Sequence, residues 1–105
     1  MKVTMNDPIR GIDGTELKEA GKEILFVDII ITALTATIEA DKGEDGKEML
    51  KKWDLAERAQ KARGDAMELT LDEATFIKER IRKVFSSTIM YANAHRLLEA
   101  ATGEK

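Results

Sequence analysis

The chain has 105 residues, which fits one domain with a single core rather than several. It has no cysteine, so disulfides, thiolate metal sites and cysteine nucleophiles are excluded, and a net charge of −3 argues against a protein built around nucleic acid. Residues 1–46 carry 5 Lys/Arg against 10 Asp/Glu and residues 47–105 carry 12 against 10, a split that reads as a solvated surface with some self-complementarity.

The first residues, MKVTMNDPIR, lack the apolar centre of a secretory signal. Residues 1–5 alternate weakly and predict a short strand. Asn6-Asp7-Pro8 breaks it, because Pro8 has no amide hydrogen to donate and biases Asp7 toward extended geometry. Asp13-Gly14 between Ile9/Ile12 and Leu17 predicts a tight turn. Residues 1–22 therefore read as a short N-terminal β-hairpin or extended arm, able to pack on its own domain or to reach a neighbour.

The densest apolar run follows, ILFVDIIITALTATI at residues 24–38. Ile24, Val27, Ile31, Leu34 and Ile38 keep helical spacing, while the β-branched content of its first half also suits a strand. Residues 22–42 contain no Gly or Pro, and that length favours a helix over about residues 27–40 with residues 24–26 extended before it. Such an apolar helix is buried on more than one side or meets a second chain. Ile31→Asp or Leu34→Asp is expected to abolish folding by placing an unpaired charge in the core. With Asp28 inside it, the run is too short and too polar to span a bilayer, so a soluble protein is expected.

Residues 41–46 (DKGEDG) form a loop whose acids begin like a calcium loop. Lys52 stands where such a loop needs a bidentate Glu, so the loop is read as acidic and solvated. Helix resumes near Lys47, with Met49, Trp53, Ala56 and Ala59/Gln60 on the inner face and Leu50 beside them. Lys51, Lys52, Glu57, Arg58 and Lys61 take the wet face, and Gly64 is placed to end the helix. Residues 65–69 (DAMEL) are a connector. Thr70 with Glu73 is a capping box opening a helix through Phe76, Ile77, Ile81, Val84 and Phe85. Ser86-Ser87-Thr88 interrupts it, and Ser87 or Thr88 can cap a last helix carrying Ile89, Met90, Ala94, Leu97, Leu98 and Ala101, which frays at Thr102-Gly103. The sum is a mainly α fold, a compact bundle of about four helices, in one domain over residues 1–105 with its helical core at 27–101.

No residue pattern supplies catalysis. His95 is the one histidine, and no motif provides a group to orient its ring. No serine elbow, phosphate-binding glycine loop or metal spacing occurs, so no catalytic residue, metal or cofactor is expected. The basic run Lys78, Arg80, Arg82, Lys83, with His95 and Arg96, is the best case for nucleic acid. It would make residues 78–96 a DNA- or RNA-binding helical hairpin using Lys78, Arg82, Lys83 and Arg96. The last helix offers few side chains able to read bases, which argues against this alternative.

Taken in order, GIDGTEL, the Leu/Ile-rich segment ending in TAL, WDLAER, LTLDEATFIKERI and the closing RLLEA resemble small proteins of about a hundred residues encoded by tailed bacteriophages and prophages. The likeness covers most of the chain and contains no chemical motif. It implies a viral protein in the host cytoplasm or the virion that works by binding protein, as an assembly component or as an accessory inhibitor of a host defence factor. Trp53, Phe76 and Tyr91 are the expected aromatic anchors of that contact, with Arg80 and Arg82 at its rim. A homo-oligomer is expected, with no membrane partner.

Overall fold

A computed structural model describes residues 2–102; Met1, the start of the expected first strand, and Gly103, the end of the expected fray, lie outside them. The elements in chain order are β1 (Lys2–Thr4), β2 (Lys18–Glu19), β3 (Lys22–Glu23), α1 (Phe26–Thr35), a 3₁₀ turn (Glu39–Asp41), α2 (Gly46–Lys61), β4 (Ala66–Glu68), α3 (Leu71–Phe85) and α4 (Thr88–Thr102). The protein is mainly α, four helices with a short antiparallel hairpin near the N-terminus.

Helix α1 is the centre. It packs against both α2 and α3, and α3 packs against α4. Phe26, Val27, Ile29, Ile30, Ala33 and Leu34 are all buried, a wider stripe than the 24–38 spacing implies. Fully burying side chains of this size is worth roughly 1.5–3 kcal/mol each, so this one helix contributes a large share of the driving force. Ile31, expected at the centre of the stripe, is only half-buried.

The N-terminal arm stays on its own domain and caps α1. Leu25 at the N-cap has no side-chain oxygen to offer. Instead the first amides of the helix donate to the arm, Phe26 N to Asp7 O at 2.8 Å and Val27 N to Met5 O at 2.9 Å. The orphan donors of a helix start are thus satisfied by backbone from twenty residues upstream. Met5 and Ile9 are buried in the same step. Asp13-Gly14 does turn the chain, with the Thr15 amide donating to Asp13 Oδ1 at 3.0 Å and Gly14 at φ +85°. The hairpin proper lies later: β2 and β3 pair through Lys18↔Glu23 and Glu19↔Lys22, around Ala20 and Gly21 at φ 53° and 81°. Positive φ at both central positions is what a tight twisted hairpin requires.

Three expectations need correction. Residues 65–69 are not a bare connector, because Ala66–Glu68 pairs antiparallel with Lys2–Thr4 and seals Val3 and Met67 into the core. Helix α1 stops at Thr35, five residues early, for a reason given below. Helix α2 is also turned about its axis. Lys52, Leu55, Ala56 and Ala59 face inward, while Met49 and Trp53, read as core, are 56% and 58% exposed.

Asp45, read only as part of the acidic loop, caps α2 through the Glu48 amide at 3.0 Å. The helix signals that follow it stand. Thr70 and Glu73 make the reciprocal capping box, and Ser87 accepts from the Met90 amide at 3.3 Å at the start of α4.

Candidate interaction surface

The rotation of α2 has a chemical cause. Lys52 is drawn inward by two carboxylates, Glu44 at 2.6 Å and Asp41 at 3.3 Å, and its side chain is 8% exposed. Asp41 is in turn held by Arg80, which reaches it from α3 with Nη1 at 2.7 Å and Nη2 at 3.2 Å. The same guanidinium donates Nε to Ala33 O at 3.1 Å and Nη2 to Ala36 O at 3.0 Å. Those carbonyls belong to the end of α1, where no i+4 amide remains to bond them. Arg80 is therefore the C-terminal cap of α1, delivered from another helix. Thr35 donates to Ile31 O at 2.8 Å, a local bond that competes with the helix ladder. Ile38 N donates to Asp41 Oδ2 at 2.9 Å, which fixes the 3₁₀ turn that follows. Helix α1 ends early because its last carbonyls have a better donor than its own next turn.

This cluster also settles the acidic loop. Asp41 and Glu44 are not solvated but paired inside, and Asp45 is a helix cap. Among the described residues no group of three acidic or His side chains is placed to hold a metal ion. No buried side-chain polar atom among them lacks a hydrogen-bond partner, as a desolvated cluster of charges demands.

The Arg80 guanidinium, ahead of the Ile38 amide and Lys52, holds the Asp41 carboxyl well below the usual carboxylate range. Arg58 does the same, less strongly, for Glu73. A carboxyl with a depressed folded pKa stabilises fully above its unfolded value and loses that contribution as pH falls toward its folded one. Unfolding free energy is therefore expected to be flat near neutrality and to fall as pH drops below about 4. Asp41→Asn should start lower and fall less steeply between pH 4 and 2. Denaturant titrations at stepped pH measure this, and parallel profiles for the two proteins would exclude Asp41 as a source of the acid dependence.

Above the charge cluster lies the open surface. Leu50 is 70% exposed, and with Met49 and Trp53 it makes an apolar triplet on the outer side of α2, residues three and four apart on one face. Beside Trp53 the junction of α1 and α2 forms two adjoining hollows. One, of about 220 Å³, is lined by Leu34, Thr37, Met49 and Lys52 among others. The other, of about 250 Å³, is lined by Ile31, Ala56, Glu57 and Gln60. Thr35 and Trp53 line both, so the indole divides one groove into two.

The structure does not gather the five expected contact residues. Trp53 stands alone in this groove. Phe76 is half-buried on α3 with the Lys51 ammonium 4.5 Å over its ring. Tyr91 is half-buried on α4 and stacks on His95, with ring centroids 6.3 Å apart. Arg82 is exposed and paired to Glu79 at 2.9 Å. Arg80 is not at a rim: it is 4% exposed, inside the core. Met49 and Leu50 are the surface residues that sequence reasoning misplaced; their (i, i+3, i+4) relation to Trp53 was the available signal.

Two of the four cations of the basic hairpin are paired with acids, Lys78 with Glu99 at 3.2 Å and Arg82 with Glu79, while Lys83 and Arg96 have no carboxylate partner among the described residues. His95 contacts Lys78 at 3.4 Å and Tyr91, neither of them a carboxylate that would orient it as a general base. Among the described residues no helix is long and apolar enough to cross a membrane.

Comparison with protein families, with curated proteins and with solved structures gives no match.

Proposed function

We propose that the protein is a non-enzymatic interaction module that acts through the α2 face centred on Trp53, first by binding a second copy of itself. The observation that carries this is the exposed triplet Met49, Leu50 and Trp53 beside a preformed groove; among the described residues the other exposed large apolar side chains, Ile12, Leu71 and Ile89, lie on other elements. A patch of this kind rimmed by polar groups is the usual mark of a protein contact. The charges on α2 favour a two-fold, antiparallel arrangement. Lys47 lies one turn before Leu50 and Glu57 one turn after Trp53, both exposed. Antiparallel copies bring Lys47 of each over Glu57 of the other, the self-complementarity that a two-fold contact requires.

The resemblance of the sequence to small phage proteins sets the proposal in an infected bacterium. There the dimer would serve as a virion or assembly component, or would cover a host factor sterically. No chemical step is needed, and the pairing of Lys78 and Arg82 with acids supports a protein partner over nucleic acid.

Trp53→Ser is the direct test. The side chain is more than half exposed, so the variant should keep its melting temperature while its self-association weakens by at least tenfold, measured by sedimentation velocity across a concentration series. An unchanged sedimentation profile in a folded Trp53→Ser variant would remove this face from the contact.

A further inference from the structure

The turn at residues 10–16 and the first turns of α4 border a second, open cleft of about 340 Å³ that shares no lining residue with the Trp53 groove. Its size is at the lower end for sites that hold small ligands or chain ends. Its walls are apolar: Ile12 is 103% exposed at the tip of the turn and Ile89 is 41% exposed on the helix. Two guanidiniums border it, Arg10 and Arg96.

The cleft is held rigidly. Asn93, 5% exposed, accepts from the Arg10 amide at 3.0 Å and donates to Arg10 O and Ile89 O, both at 2.8 Å. Its Oδ1 also accepts from Arg96 Nη2 at 3.2 Å, so one buried amide fixes the turn, the helix and the second arginine together. The two arginines differ in what they have left to give. Arg10 already donates to Gly14 O at 3.1 Å and pairs with Glu16 at 3.5 Å. Arg96 has no carboxylate partner among the described residues, and Asn93 uses one of its five donors. The tip of the turn also keeps its backbone open: the amide and carbonyl of Ile12 have no partner among the described residues.

We propose that this cleft takes the free C-terminal end of another protein chain, its aliphatic last side chain between Ile12 and Ile89 and its carboxylate on Arg96. A guanidinium with unused donors matches a carboxylate in shape and charge. The apolar walls fit a Leu, Ile or Val side chain. The open amide and carbonyl of Ile12 fit the peptide bond that precedes it, which a simple fatty acid lacks. This site is separate from the Trp53 face and does not depend on it.

The test is a titration of the full-length, ¹⁵N-labelled protein with three probes, followed by amide shifts. The probes are acetyl-Ala-Ala-Leu with a free carboxylate, the same peptide as its C-terminal amide, and octanoate. The free acid should shift Ile12, Ile89, Asn93 and the Arg96 side chain saturably, and bind at least about tenfold more tightly than either other probe. Arg96→Gln, an exposed change that keeps the rest of the spectrum, should lose that preference, whereas Trp53→Ser should retain it. Absence of shifts at these residues, equal binding of the amidated peptide, or equal binding of octanoate would each overturn the proposal.

Discussion

Replacing Arg80 with Met is expected to remove about 3–5 kcal/mol of stability, the cost of breaking a buried ion pair from one side. The stem volume is nearly kept, so the loss is chemical. Asp41, with its side chain 9% exposed, keeps only Lys52 and the Ile38 amide, and the carbonyls of Ala33 and Ala36 lose their buried donor. Against a total of roughly 5–15 kcal/mol, this is enough to leave the protein marginal at 37 °C. Arg80→Lys should recover only part, since an ammonium cannot reach two carbonyls and both carboxylate oxygens at once. Adding Asp41→Asn to Arg80→Met should cost less than the sum of the two single changes, because the charge stranded by the first is removed by the second. Denaturant unfolding of the four proteins measures the coupling, and strict additivity would show that Arg80 and Asp41 do not act as a unit.

Leu34→Asp is expected to abolish the folded state. Leu34 is 2% exposed at the junction of α1 with the charge cluster, and a carboxylate there meets apolar neighbours on its inner side. Ile31→Asp, which the apolar spacing alone ranks as equally damaging, should be milder. Ile31 is half-buried and lines the open groove, so an added carboxylate can turn to water. Far-UV circular dichroism should show Leu34→Asp unfolded and Ile31→Asp folded with a lowered melting temperature. The reverse order would mean that the burial of α1 is assigned to the wrong side.

The contrast between those two residues shows where the sequence can be read and where it cannot. The capping box at Thr70 and Glu73, the cap at Ser87, the Asp13-Gly14 turn and the number of helices follow from rules that act within four or five residues. The end of α1 does not, because its cap arrives from Arg80, 47 residues beyond Ala33. Strand β4 is equally silent: three residues pair with a partner more than sixty positions away, too short to show alternation. Helix α2 misleads in a more instructive manner. Its apolar residues fall on two adjoining faces, Met49, Leu50 and Trp53 on one and Leu55, Ala56 and Ala59, a smaller set in total, on the other. Size favours burying the first, but the pairing of Lys52 with Glu44 and Asp41 turns the second inward. What results is the exposed indole on which the proposed function rests.

Trp53 is the single tryptophan, so its fluorescence reports that surface and nothing else. The decisive measurement is its emission and acrylamide quenching across a protein dilution series, with mass followed by sedimentation on the same samples. A docking face predicts a red-shifted, readily quenched indole in the dilute monomer, and a blue shift with protection as the mass rises to that of a dimer. A monomer at every concentration whose indole stays equally open would contradict self-association through α2.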